Sequence, residues 1–333
     1  MTATVAVLLA PEMRRKILSD EAERLLAGMG EIRSAGQEKL TEDRLAELLQ
    51  GARACLTGWG TPMLTAGLLA RCPALGLVAH SAGSVRRLVP DEAIANGLKV
   101  SHAAIHIAEA VAEFVLAEIL LHLRRPDGHD AGMKAGEAWF DLRARYLGRL
   151  LGACHVGLVG AGYVGRLVIG LLRPFGCRIS VYDPYLGAAR AAELGVDAIG
   201  LDDLLSGCDI VSLHAPVLPE TKGMIGAAQL AKLRDGCFFI NTARAALVDE
   251  TALLAELRKN RFDAMLDVFA EEPLPANHPF RGLPNLRLAP HAAGHTADTY
   301  HRQGLSMVQE VGRFLKGEPL RHAVTPAMLA TMA

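Results

Sequence analysis

Six residues, Gly160-Ala161-Gly162-Tyr163-Val164-Gly165, constrain this chain more than any other stretch. They follow the apolar run 155–159 and precede an amphipathic helical pattern, so three glycines sit where a strand turns into a helix. The first glycine makes the tight turn, the second lets backbone N–H groups approach a pyrophosphate, and the third lets helix and strand pack closely. A chain with 33 glycines also produces this spacing by chance, so context decides. The next apolar run, 178–182, ends at Asp183, close to the roughly 20-residue offset at which an acid meets the adenosine ribose of a dinucleotide. A carboxylate there repels a 2′-phosphate and favours NAD over NADP. The alternative is a glycine-rich turn with no ligand.

The surroundings of that turn are regular. Apolar runs alternate with helical patterns from the N-terminus (strands at 4–9, 54–57 and 75–79; helices at 21–29, 43–50 and 64–70) and again after residue 154. The second series has strands at 155–159, 178–182, 209–213, 238–240, 264–268 and 286–289. Such alternation implies βαβ units and parallel sheets, an α/β fold. At 333 residues, with 51% hydrophobic and 21% charged, the chain has room for two ordinary domains with real cores. The net charge of −1 excludes a globally basic nucleic-acid surface. Stretch 103–123 is long and apolar, but His106, Glu109, Glu113, Glu118 and His122 interrupt it, so it reads as a helix of a soluble protein rather than a membrane span. Six widely spaced cysteines without a C-x-x-C pair, and an N-terminus without a basic lead, point to a reduced, cytoplasmic protein. Segment 127–148 shows no clean period and reads as an arm or a long connection.

Ligands of open α/β sheets bind beyond the carboxyl ends of the strands. Those ends deliver His214-Ala215-Pro216, Asn241-Thr242-Ala243-Arg244, Asp267 and Pro290-His291, with Glu272 five residues beyond Asp267. An arginine fork pairs bidentately with the carboxylate of a small organic acid. A histidine can donate a proton to a carbonyl oxygen and recover it in reverse, and a neighbouring carboxylate keeps the imidazolium available. With nicotinamide supplying the hydride, the sum is interconversion of a 2-oxo acid and a 2-hydroxy acid. Singly, each residue has a plain structural reading: a surface arginine, a loop histidine, a solvated glutamate, a capping aspartate. Their joint placement after the glycine turn carries the functional one.

On these residues the chain resembles the D-isomer-specific 2-hydroxyacid dehydrogenases, which include phosphoglycerate dehydrogenases and glyoxylate/hydroxypyruvate reductases. The resemblance rests on Val156 to Gly165, on Asp209-Ile-Val-Ser-Leu-His-Ala-Pro216 with Glu220-Thr221, on Ile240-Asn-Thr-Ala-Arg244, on Leu266-Asp-Val-Phe269 with Glu272-Pro273, and on Ala289-Pro-His291. It implies a Rossmann doubly wound parallel-sheet NAD(H) domain over 104–296 and a smaller flavodoxin-like α/β substrate domain made of 1–103 and 297–333. It also implies Arg244 as the clamp on the substrate carboxylate, His291 as acid/base and Glu272 as its partner, with Asp267 near the carboxamide. Tyr163, Val164, Ala215, Pro216, Thr221, Thr242, Ala243 and Gly294 join the three glycines and Asp183 as cofactor-binding residues. The substrate is a small 2-oxo or 2-hydroxy acid, and a homodimer forms through the cofactor domains and the arm around Trp139.

The first domain departs from the family pattern. The loop that commonly reads Gly-x-Gly-Val-Asp-Asn is Ala82-Gly83-Ser84-Val85-Arg86-Arg87, and Asn-x-Pro becomes His102-Ala103-Ala104. The amides of Ala82, Gly83 and Ser84 can still hold a carboxylate. Arg86 or Arg87 either contacts an extra anionic group such as a phosphate or forms a solvated pair. His102 with His106, and His291 with His295, have a spacing metal sites use, yet no third ligand is evident and no metal is expected. A serine nucleophile elbow and a P-loop are absent. Two rivals stand beside the dehydrogenase: an NAD-sensing corepressor-like binding protein of the same fold, and a different Rossmann enzyme such as a methyltransferase.

Overall fold

The computed structural model describes residues 3–332. Internal contacts divide the chain into two units, Met1–Ile107 with His295–Ala333, and Ala108–Gly294. The 21-residue helix Ala104–Arg124 carries the first boundary.

The first unit holds a five-stranded parallel sheet of β1 (Ala3–Val7), β2 (Gly30–Ser34), β3 (Ala54–Thr57), β4 (Leu77–His80) and β5 (Lys99–His102), in the order β2-β1-β3-β4-β5. Because side chains alternate along a strand, its central strands feed two cores. Ala6, Cys55 and Val78 pack with Leu45, Leu49 and Leu68 from the helices Glu42–Leu49 and Ala66–Arg71. Val5, Val7, Leu56 and Leu77 pack with Ile17, Leu26, Met307 and Val311 from the helices that precede β2 and from Ala297–Lys316. Near-continuous apolar strands are what a sheet covered on both faces requires. This order is the flavodoxin-like doubly wound one.

The second unit has a seven-stranded parallel sheet: β6 (His155–Val159), β7 (Arg178–Tyr182), β8 (Asp197–Ala198), β9 (Ile210–Leu213), β10 (Phe238–Asn241), β11 (Asp263–Leu266) and β12 (Leu286–Leu288), ordered β12-β11-β10-β9-β6-β7-β8. The strand order reverses beside β6, and that reversal is the switch point where an open sheet leaves a crevice.

The sequence reading misses strands β2, β5 and β8 and gives the arm no elements. Strand β2 and the two-residue β8 are charged edge strands with half of their side chains or more in water, and the four-residue β5 is the other edge of the first sheet and begins at exposed Lys99. The arm is two short helices, Pro126–Lys134 and Trp139–Arg145, which bury only Gly132 and Leu142. A Cβ at Gly132 would lie 2.3 Å from a Leu142 methyl, so the helices meet over that glycine. Helices that bury one residue each have no apolar stripe for periodicity to reveal.

Candidate active site

The glycine turn opens the helix Tyr163–Leu172, whose N-cap Gly162 offers no side-chain cap to the first N–H groups. Each glycine has its own reason to be there. Gly160 has φ +104°, and a Cβ on it would lie 2.8 Å from the Ala215 nitrogen. Gly165 would place a Cβ 2.2 Å from the Gly160 carbonyl oxygen, so helix and strand meet without a side chain between them. Around Gly162 nothing lies within 4 Å of that position, which leaves open space beside the uncapped helix terminus. This is the form of a phosphate site.

At the end of β7, Asp183 takes the Ala161 N–H on Oδ2 (2.8 Å) and the Tyr185 N–H on Oδ1 (2.9 Å). At the ends of β9 and β10, His214 Nε2 and Thr242 Oγ1 are buried polar atoms without a hydrogen-bond partner among the described residues. Burial pushes the His214 imidazole down to about 4, so it is neutral at pH 7. Uncommitted buried polar atoms around a phosphate-shaped turn fit a bound dinucleotide. Thr221 works locally: its hydroxyl donates to the Pro216 carbonyl (2.6 Å) and accepts the Leu218 N–H (2.8 Å). Ala215 and Gly294 are buried, and Pro216 is half-buried.

Asp267 follows β11 and is 1% exposed. Its carboxylate accepts the N–H groups of Ala292 (2.7 Å) and Ala293 (3.0 Å), directly after His291, whose φ is +54°. A left-handed non-glycine residue is sterically unfavourable and persists only when its surroundings hold it. Two charge-assisted bonds at the following amides supply that hold. His291 Nδ1 donates to Glu272 Oε2 at 2.8 Å, and Glu272 Oε1 accepts the Phe269 N–H at 3.0 Å. Burial pushes the Glu272 carboxyl up, but the hydrogen bonds from His291 and Phe269 and the charges of His291 and Arg244 outweigh it, and the group lies below its ordinary range.

Arg244, Val248, Phe269, Glu272 and His291 line one cleft of about 610 Å³. The turn that carries Arg244 is shaped by Asn241, whose Oδ1 accepts the Ala243 N–H (3.1 Å) and whose Nδ2 donates to the Arg244 carbonyl (3.0 Å). Asn241 was legible only as a strand-end polar residue. Its signal is a side-chain amide one turn before the arginine.

Ala82, Gly83 and Ser84 belong to the first unit, just beyond β4. Their N–H groups have no acceptor among the described residues. His102, where the family pattern has asparagine, donates from Nδ1 to the Gly83 carbonyl at 2.8 Å. Arg86 Nη2 donates to the Leu329 carbonyl at 2.5 Å, and Val85 N–H reaches Met332 Sδ at 3.4 Å, so the loop is tied to the C-terminal segment. Among the described residues no three His, Cys, Asp or Glu side chains gather as a metal site, and no helix is long and apolar enough to cross a membrane.

Comparison with known proteins adds a family. A model of the NAD binding domain of D-isomer specific 2-hydroxyacid dehydrogenases matches residues 116–293. The chain is 36% identical over 260 residues to a D-3-phosphoglycerate dehydrogenase of Mycobacterium leprae, covering 78% of this chain and 48% of the relative. It is 34% identical over 264 residues to a glyoxylate reductase of Aeropyrum pernix, covering 78% of each. A solved phosphoglycerate oxidoreductase from Rhizobium etli gives a TM-score of 0.81 at 30% identity, over 96% of this chain and 98% of that one. The chain spans about half the length of the phosphoglycerate dehydrogenases it matches.

Proposed function

The chain belongs to the D-isomer specific 2-hydroxyacid dehydrogenases and carries their NAD-binding domain, and from that premise we propose that it interconverts a small 2-oxo acid and the corresponding D-2-hydroxy acid with NAD(H). The observation that carries this reading is the 2.8 Å His291–Glu272 pair in one cleft with Arg244. Nicotinamide, when bound, supplies or accepts the hydride.

The protein's own work is to bind, orient and move one proton. Arg244 holds the substrate carboxylate through its fork of donors. His291, oriented through Nδ1 by Glu272, gives a proton from Nε2 to the carbonyl oxygen in reduction and takes it from the hydroxyl in oxidation. Glu272, ionised because its carboxyl lies low, stabilises the imidazolium that precedes each reduction. Asp267 fixes the loop on which His291 stands. On the cofactor side, Gly160, Gly162, Gly165 and the first turn at Tyr163 and Val164 receive the pyrophosphate. Each Asp183 oxygen already accepts one backbone N–H and keeps a lone pair for a ribose hydroxyl. Ala215, Pro216, Thr242, Ala243 and Gly294 complete the path.

The test is loss of NADH absorbance with a panel of 2-oxo acids. His291→Ala is expected to lower the rate by about 10²–10⁴-fold. An unchanged rate in that variant ends the acid/base assignment.

The arm supports a second copy of the chain as partner. Trp139, Phe140, Leu147 and Leu150 are 61%, 75%, 84% and 72% exposed, an apolar surface that a soluble monomer seldom leaves in water. Phe140→Asp is expected to convert a dimer to a monomer in light scattering, and a wild-type monomer would remove this reading. Six free thiols, five of them buried, suit a reducing compartment, and on that ground we assign the chain to the cytoplasm.

A further inference from the structure

The first unit carries an aromatic cluster that the reaction chemistry does not use. Trp59 stands on a turn between Gly58 and Gly60. The Thr61 N–H donates to the Gly58 carbonyl (3.1 Å), and Thr61 Oγ1 accepts the Gly58 N–H (3.1 Å) while donating to the Leu8 carbonyl (3.2 Å). Gly60 has φ +83°, a conformation that L side chains rarely adopt, and a Cβ at Gly58 would lie 2.6 Å from a Leu9 methyl, which would have to shift. The half-buried indole is therefore presented on a pinned turn. Its centroid lies 5.6 Å from the Tyr300 ring, edge to face at 87°, and 5.6 Å from His295. His295 Nδ1 and the Tyr300 hydroxyl are joined at 2.6 Å.

Strands β3 and β4 are parallel neighbours with Thr57 opposite His80. Trp59 and Ala82 each lie two residues beyond those positions, at the same end of adjacent strands, so the aromatic cluster stands beside the loop of open amides. A carboxylate held by those amides would have its substituent next to ring faces. Ring faces carry negative quadrupole charge and welcome apolar or aromatic groups, not a phosphate dianion. Of the loop's two cations, Arg86 donates to the Leu329 carbonyl and Arg87 is exposed.

We propose that Trp59, with Tyr300 and His295, forms a wall that selects 2-oxo acids with an uncharged, apolar or aromatic side chain. This rests on the 2-oxo acid reading above. The experiment compares kcat/KM for glyoxylate, 4-methyl-2-oxopentanoate, phenylpyruvate and 3-phosphohydroxypyruvate. Wild type is expected to favour the two apolar acids over the phosphorylated one by tenfold or more. Trp59→Ala is expected to lower the ratio of 4-methyl-2-oxopentanoate to glyoxylate by about 10–100-fold, the range that lost apolar contact produces, and Trp59→Phe to restore most of it. An NADH affinity within about twofold of wild type shows that the variant is folded. A preference for the phosphorylated acid, or an unchanged ratio in Trp59→Ala, overturns the wall and leaves the reductase standing. If no acid consumes NADH, the reductase reading falls, and the wall is judged by Trp59 fluorescence in a Trp139→Phe chain titrated with 4-methyl-2-oxopentanoate. Saturable quenching then upholds it, and its absence overturns it.

Discussion

Both units are parallel sheets wound with helices, yet they treat their first strand-to-helix turn in opposite ways. In the second unit β6 runs into three glycines, an uncapped helix and open space at Gly162. In the first unit β1 runs through Leu8, Leu9 and Ala10 into a helix with Pro11 at its start. Proline is at home there because the N–H it lacks would have no helical partner, but it also removes a donor that a phosphate would need. The same sheet architecture therefore becomes a cofactor site or a plain domain according to a few residues at one turn. The first unit instead places its distinctive groups after β3 and β4, with Trp59 beside the open amides of Ala82, Gly83 and Ser84.

The harshest way to break that contrast is to give the second unit a side chain at its turn. Gly165→Ala would set a methyl 2.2 Å from a backbone carbonyl oxygen, a contact with no flexible partner to yield. Helix and strand must separate, and NADH affinity is expected to fall by about a hundredfold or more in fluorescence titration. An affinity within threefold of wild type would mean that the close approach is not what the cofactor needs.

The legibility of the chain follows the same division. The glycine turn, Asp183 and the strand-end residues Thr242, Arg244, Asp267 and His291 were readable because buried strands are apolar and their ends are marked by abrupt polarity. What stayed hidden depends on contacts far apart in sequence. The Asp267 bonds to Ala292 and Ala293 cross 25 and 26 residues. The tie from Arg86 to Leu329 crosses 243, whereas the sequence offers its guanidinium either as an anion contact or as half of a solvated pair. The Trp59 cluster joins β3 to a helix that starts at Ala297, and no local pattern announces it.

A smaller effect is expected from Glu272→Gln, which tests whether the second unit also tunes its chemistry. The folded-state carboxyl is depressed, so the charged pair is fully present above the ordinary glutamate range and is lost only as pH falls through the lower value. Reduction needs the imidazolium that this carboxylate faces, so wild-type kcat/KM for reduction should fall as pH drops through the lowered Glu272 value and the anion is lost. Glutamine has no charge to lose, so that acid limb should vanish, with reduction about tenfold slower near neutrality and oxidation less affected. Superimposable pH profiles for the two proteins would show that Glu272 only shapes the loop.

The mildest expected effect belongs to the first unit and sharpens the comparison. Arg86→Ala removes a hydrogen bond to the Leu329 carbonyl that ties the amide loop to the C-terminal helix Pro326–Thr331. A single bond of this kind contributes about 1 kcal/mol, so the thermal midpoint should drop by only a few degrees. Because the tied loop carries the open amides, KM for the 2-oxo acid should rise about two- to fivefold while kcat and NADH affinity hold. A loop that read an anion directly would behave differently: the loss would be confined to phosphorylated acids, and stability would not change. Substitutions in the second unit should thus register first in NADH binding or proton transfer, and this one in the acid. A parallel loss of NADH affinity in Arg86→Ala would show that the two units do not divide the work in this way.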